Sequence, residues 1–251
     1  MNLGTPTATG NTATIYLYEN KIYKVFNDSL PAGESMKEAK KQQYAHSCGL
    51  PVPEIYDVTN IDGKQVIIME HIKGKTIGSF LTDNKERAEY YMGMSVDIQM
   101  GIHEIKAHSI EPMSEKLHRQ IEAAPVLSHQ MKSILLKKLN SMTFEENLCH
   151  GDFHLYNLIL SDNNVTIIDW VDSSAGDRRA DVYRTYLLYS QVSKELANMY
   201  MRLYCEKSGL FKEEIFRWAP RKEPWYLYPW LFRYYCIMFF SMTSERLSAI
   251  C

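Results

Sequence analysis

Apolar and polar positions along the chain fall into two regimes. Residues 14–18 (Thr-Ile-Tyr-Leu-Tyr) and 21–26 (Lys-Ile-Tyr-Lys-Val-Phe) are rich in β-branched and aromatic side chains. Glu19-Asn20 lies between them as a two-residue turn, so a β-hairpin is expected. Residues 34–47 read as a helix closed by Gly49 and followed by the stop signals Pro51 and Pro53. Residues 65–70 form a further strand candidate. Beyond Thr76 breakers become rare, and helices are expected over 84–107, 113–123 and 129–141. A short β patch follows at 158–160 and 165–168. From Asp177 the pattern is helical again and ends in the aromatic-rich segment 218–240. No internal repeat or low-complexity tract interrupts it. The expected fold class is α+β, with a small β-rich N-terminal lobe and a larger, mostly helical C-terminal lobe.

The β patch carries the most informative chemistry. Leu158-Ile159-Leu160 and Val165-Thr166-Ile167-Ile168 are joined by Ser161-Asp162-Asn163-Asn164, which is turn chemistry. If these strands pair, Asn157 just precedes the outgoing strand and Asp169 just follows the return strand. An amide oxygen and a carboxylate then meet at one end of the ribbon, a donor pair suited to a hard cation such as Mg²⁺. Asp152 lies on the approach to that point, where a carboxylate can accept the proton of an attacking hydroxyl. Proton acceptor, Asn and metal-binding Asp, in that order, are the parts of kinase-type phosphoryl transfer. Each residue alone would read as an ordinary turn residue; the spacing and the flanking apolar strands favour function.

Composition narrows the field. The chain has 251 residues, 45% of them hydrophobic, enough for one large domain or two lobes with a real core. A net charge of -2 gives no nucleic-acid footprint. The longest nearly uncharged apolar run, near Tyr234 to Met242, is far short of the ~20 residues of a membrane span. Met1 to Thr12 has neither a cationic start nor an apolar stretch, so no signal peptide is expected. Five scattered cysteines with no Cys-x-x-Cys pair read as reduced thiols of a cytoplasmic protein.

The segment His150-Gly151-Asp152-Phe153-His154 through Asn157, with Ile167-Ile168-Asp169-Trp170 and Ala175-Gly176-Asp177 to Asp181, resembles the aminoglycoside phosphotransferase family of kinase-like enzymes. The resemblance implies a two-lobed protein-kinase-like fold. Residues 1–72 would form the nucleotide-binding lobe, ending in the hinge. Residues 73–251 would form the helical lobe with catalytic loop and acceptor pocket. It implies Asp152 as catalytic base, His150 as a residue positioning the loop, Asn157 and Asp169 as Mg²⁺ ligands, and Asp181 as a structural anchor. It also implies Lys24 as the strand lysine on the ATP phosphates and Glu38 as its helix partner, since a fixed ammonium offsets transition-state charge. Read without the downstream motif, Lys24 is equally a snorkelling strand lysine and Glu38 a solvated helix residue. Met69-Glu70-His71-Ile72 matches the hinge, with Glu70 and Ile72 as main-chain adenine contacts. The phosphate loop would be Ala8 to Ala13, with Gly10, Asn11 and Thr12; it holds one glycine and lacks Gly-x-Gly-x-x-Gly. Backbone N–H groups and hydroxyls there can still cradle phosphate. The resemblance covers most of the chain to about Leu188.

Rival readings are weaker. Gly74-Lys75-Thr76 imitates the end of a Walker A loop, but Met69 stands where the first glycine is required. His103 and His108 are five apart, not the four of a zinc-protease helix, so His103 reads as a packing histidine. All eight histidines lie at or before position 154, which disfavours a dinuclear phosphoesterase. The aromatic cluster Trp218, Trp225, Tyr226, Tyr228, Trp230, Tyr234 and Tyr235 reads first as helix packing, with one or two rings available to an acceptor. The leading expectation is therefore an ATP- and Mg²⁺-dependent kinase acting on a small-molecule hydroxyl, a monomer or weak homodimer. The alternative is a kinase-fold nucleotide-binding protein with little or no turnover.

Overall fold

A computed structural model describes residues 3–10, 12–83, 85–162 and 164–218. Asn11, Asn163 and the aromatic segment after Trp218 lie outside the described residues. In chain order the elements are β1 (Ala8–Thr9), β2 (Ala13–Tyr18), β3 (Lys21–Phe26), α1 (Glu34–Ser47), β4 (Ile55–Ile61), β5 (Lys64–Glu70), β6 (Lys75–Thr76), α2 (Ile77–Asp83), α3 (Ala88–His103), α4 (Met113–Ala123), α5 (His129–Asn140), β7 (Asn147–Cys149), β8 (Leu158–Ser161), β9 (Asn164–Ile167), β10 (Ser174–Gly176), α6 (Arg178–Val192), α7 (Lys194–Ser208) and α8 (Lys212–Phe216). The fold is α+β.

Two compact units divide the described residues. The first runs to Phe80 and takes in Tyr156–Val171; the second holds Leu81–Leu155 and the residues from Asp172 onward. The segment 158–168, where the sequence places the short β patch, falls within the first unit.

The first unit is built on an antiparallel sheet in the order β1-β2-β3-β5-β4. Glu19 and Asn20 both adopt positive φ, the geometry that lets a two-residue turn follow strand twist. Phe26, Ala39, Ile67 and Met69 form the core between sheet and α1, with Ile22, Leu30, Ile55 and Val58 packed around them. The β8–β9 hairpin pairs Leu158 with Ile167 and Ser161 with Asn164. It joins this unit through β6, which pairs Lys75 with Leu160, and through the Ile167 N–H, which donates to the Pro51 carbonyl at 2.8 Å.

Helices make up most of the second unit. The helix expected over 84–107 spans only Ala88–His103, preceded by a 3₁₀ turn at Lys85–Arg87. Helix α4 packs on α5 around Ile121, Ala124, Leu127 and Leu139. Ser128, Asp177 and Ser193 cap α5, α6 and α7 by accepting first-turn N–H groups. A short antiparallel pair, β7 with β10, sets Cys149 opposite Ser174 and Asn147 opposite Gly176. It lies beside the 150–154 loop in sequence. No helix among the described residues is long and apolar enough to cross a membrane.

Candidate active site

Of the residues singled out by sequence, Lys24, Glu38 and Asp169 meet within the first unit, and His150, Asp152 and Asp181 within the second. In the first unit Lys24 comes from the middle of β3 and Glu38 from the buried face of α1. The Lys24 Nζ lies 2.5 Å from Glu38 Oε1 and 3.3 Å from Asp169 Oδ1. Burial works against the Lys24 ammonium, but Asp169 and Glu38 outweigh it and hold its pKa above the ordinary value. Lys24 is thus a fixed cation between two carboxylates, and neither the snorkelling strand lysine nor the solvated helix glutamate describes the pair.

Strand pairing brings Asn157 and Asp169 to one end of the hairpin. Leu158 pairs with Ile167, and the Ile168 N–H donates to the Asn157 carbonyl at 3.0 Å. Asp169 has a φ of 67°, a left-handed conformation that Asp tolerates better than most residues. It turns the chain out of the ribbon just where its carboxylate meets Lys24. The donors are hard, and two carboxylates, Glu38 and Asp169, face the single Lys24 ammonium. That donor chemistry fits a divalent cation. A second tie holds α1 to this segment: Lys41 Nζ donates to the Val171 carbonyl at 2.7 Å.

Gly10 and Thr12 lie in the turn between β1 and β2, where the Gly10 N–H donates to Ala13 and the Thr12 carbonyl accepts from Asn27. Glu70 ends β5, and its N–H already donates to the Glu54 carbonyl at 2.9 Å. Ile72 follows it, half-buried. The Walker-like Gly74-Lys75-Thr76 is the entry to β6. A Cβ at Gly74 would overlap the Leu160 carbonyl, so packing accounts for that glycine.

In the second unit the 150–154 loop is held on all sides. The Asp181 carboxylate accepts the Gly151 N–H at 2.8 Å and the His150 N–H at 3.3 Å. His150 is fully buried, and its Nδ1 accepts the Asp152 N–H at 3.3 Å. Gly151 has a φ of 81°, and a Cβ on it would overlap the Asp172 carbonyl, so glycine is required twice over. Asp152 is buried, with His154 Nε2 at 3.6 Å and Arg184 Nη2 at 3.8 Å. Burial opposes its ionisation, but His154, Arg184 and His150 outweigh it and keep the carboxyl well below the usual carboxylate range.

Sequence reasoning gave no role near Asp152 to Arg184 or Lys116. Arg184 also reaches Asp172 Oδ2 at 3.3 Å and donates to the Gly151 carbonyl. Lys116 sits 3.1 Å from Asp172 Oδ1 and donates to the Asp172 carbonyl. His103 is the packing histidine expected, and it bridges Tyr204 and Asp181 at 2.8 and 2.9 Å. His103, Cys149 and Asp181 have the spacing of a metal triad, but both ring nitrogens of His103 are already engaged. His108 is exposed, which removes the zinc-helix reading.

Comparison with known proteins places this architecture. Acyl-CoA dehydrogenase family member 11 of Pongo abelii is 27% identical over 179 residues, which is 61% of this chain but 23% of that protein. Among solved structures, an aminoglycoside-3'-phosphotransferase of type VIII superposes with a TM-score of 0.62 at 18% identity, covering 84% of this chain and 87% of its own. An amicoumacin kinase in complex with AMP-PNP, Ca²⁺ and Ami gives a TM-score of 0.57 at 16% identity, covering 80% of this chain and 70% of its own. These likenesses carry the fold, which is that of the two-lobed, kinase-like phosphotransferases. The profile of the phosphotransferase enzyme family matches residues 10–220, through both clusters, and the chain belongs to that family.

Proposed function

We propose that this protein is an ATP-dependent kinase that transfers the γ-phosphoryl group to a hydroxyl of a small molecule. The observation that carries the reading is the Lys24 ammonium fixed between Glu38 and Asp169 at the end of the hairpin that also bears Asn157. An ammonium so held is set to neutralise phosphate charge without reorganising during the reaction. Asn157 and Asp169 would hold Mg²⁺. When bound, the cation supplies charge neutralisation and orientation of the phosphate oxygens. Main-chain groups from Glu70 to Ile72 would take the purine, the Glu70 N–H being already committed to Glu54. Gly10, Asn11 and Thr12 would lie on the phosphates. The solved kinase with AMP-PNP and Ca²⁺ supports a nucleotide and a divalent cation for this fold.

Asp152 would receive the acceptor's proton. Its depressed pKa makes it a weak base, which suits a loose transition state in which the hydroxyl is oriented early and loses its proton late. His150 would position the loop.

An ADP-release screen tests the reading, with aminoglycosides, amino alcohols, sugars and nucleosides as grouped acceptors and Mg-ATP as donor. Turnover with one group is expected. Asp152→Asn is expected to lower it by ~10²–10⁴-fold. Stabilisation by Mg-ATP in a thermal melt is expected to survive in that variant. Full turnover in Asp152→Asn would remove the proton-acceptor role. Mg-ATP stabilisation with no ADP release from any group would instead support a nucleotide-binding protein without turnover.

A further inference from the structure

Helix α6 presents two charged side chains to the 150–152 loop, three positions apart and hence on one face. Asp181 takes the Gly151 N–H. Arg184, one turn later, donates through Nε to the Gly151 carbonyl. Both peptide groups of Gly151 are thus held by a single helix, one by an anion and one by a cation. The far end of the guanidinium lies between two carboxylates, Asp172 at 3.3 Å and Asp152 at 3.8 Å. Asp172 is fixed in turn by Lys116 from α4, on both its side chain and its carbonyl. That carbonyl is the wall against which Gly151 has no room for a Cβ.

A planar fork with five N–H donors can meet a carbonyl and two carboxylates at once; an ammonium on a flexible stem cannot. We propose that Arg184 is a positioning residue, which orients the Asp152 carboxylate by clamping the Gly151 carbonyl and tethering both to Asp172. The proposal rests on the reading of Asp152 as proton acceptor and adds the residue that aims it. Asp152 offers two oxygens, and His154 and Arg184 stand near different ones, Oδ2 and Oδ1. The charged and titratable groups near this carboxylate are therefore His150 and His154 on the loop, Arg184 on α6, and Asp172 with Lys116 behind it.

The test is carboxyl-carbon NMR of the full chain labelled at aspartate, with Asp152 assigned from the Asp152→Asn spectrum. In the wild type the Asp152 resonance should stay that of a carboxylate through the acid range in which the protein is folded. Removing an opposite charge at this distance moves a carboxyl by at least about one pH unit, so Arg184→Gln should bring its titration upward into that range. Asp172→Asn should move it downward or leave it, because a repelling charge is lost and the guanidinium is released toward Asp152. General loosening of the loop would move both variants the same way. Should Arg184→Gln unfold, Arg184→Lys decides: a smaller but resolved rise is expected, since the charge stays and the fork is lost. An Asp152 titration that Arg184→Gln leaves at the wild-type position, or that Asp172→Asn raises equally, overturns the proposal. Full turnover in Asp152→Asn would instead overturn the proton-acceptor reading, whatever the Arg184 variants do.

Discussion

Lys24 has two carboxylate partners, and they are not equivalent. Glu38 lies at 2.5 Å and is almost fully buried, whereas Asp169 lies at 3.3 Å and keeps some contact with solvent. Lys24→Met removes the counter-ion of a buried carboxylate, a change that costs about 3–5 kcal/mol. That variant should lose stability in urea titrations and lose turnover with whichever acceptor is found. Glu38→Gln should be milder on stability, because Asp169 still faces the ammonium, yet it should raise the KM for ATP by freeing the lysine to wander. Equal stability losses from the two substitutions would contradict this ranking. The placement of residues was legible in the sequence where their partners are close along the chain. Asn157 and Asp169 flank one short hairpin, and pattern alone indicated that its two ends meet. Arg184 and Lys116 were not legible: Lys116 meets Asp172 across 56 positions, and Arg184 meets Gly151 across 33. No local pattern distinguishes such a basic residue from a solvated one.

At the scale of elements, local rules served well where the signal was local. The hairpin of β2 and β3 was legible in β-branched runs flanking Glu19-Asn20, and α1 in its closing glycine and the prolines beyond it. Strand β4 escaped because Ile-Tyr-Asp-Val-Thr-Asn-Ile is half polar and its pairing with β5 supplies what propensity does not. The β7–β10 pair escaped because three residues per strand carry no period, and the partners are separated by residues 150–173. Glycines give a measurable contrast between elements. Gly209 closes α7 with a φ of 72° and open space where a Cβ would stand. Gly209→Ala should therefore cost about 1 kcal/mol, the conformational strain alone. Gly151 combines the same backbone region with contact against the Asp172 carbonyl. Gly151→Ala should cost clearly more than Gly209→Ala, because the loop must shift as well as strain. It should also depress turnover while leaving Mg-ATP stabilisation in place, since its contacts are to the loop and Asp172. Paired urea melts on the two alanine variants check the order; the reverse order would sink the steric argument.

For the molecule as a whole, acid stability should report on Asp181. This carboxylate is buried and gathers groups from separate parts of the second unit. Gln99 and His103 reach it from α3, and the His150 and Gly151 amides reach it from the loop. Tyr200 and Tyr204 of α7 extend the network through Gln99 and His103. Burial alone would raise its pKa, but His103 and the Gly151 N–H outweigh burial and lower it to about 2, from an ordinary value of 3.8. A carboxylate whose folded pKa is depressed contributes stability above its unfolded pKa and loses it as pH falls through the folded value. The contribution is about 2 kcal/mol at neutral pH on the scale of 1.36 kcal/mol per pH unit. It should be complete above about pH 5 and fade between about pH 4 and pH 2. Asp181→Asn should therefore be less stable than the wild type at pH 7, with the gap narrowing as the pH is lowered through that window. An asparagine can still accept one loop amide through its oxygen but offers His103 no charge. The neutral-pH loss should accordingly be accompanied by reduced turnover, as the loop carrying Asp152 loses half its anchor. Unfolding free energies from urea at pH 7, 5, 4 and 3 measure the gap directly. A gap that stays constant across those four values would mean that the carboxylate charge at Asp181 is not what holds the loop.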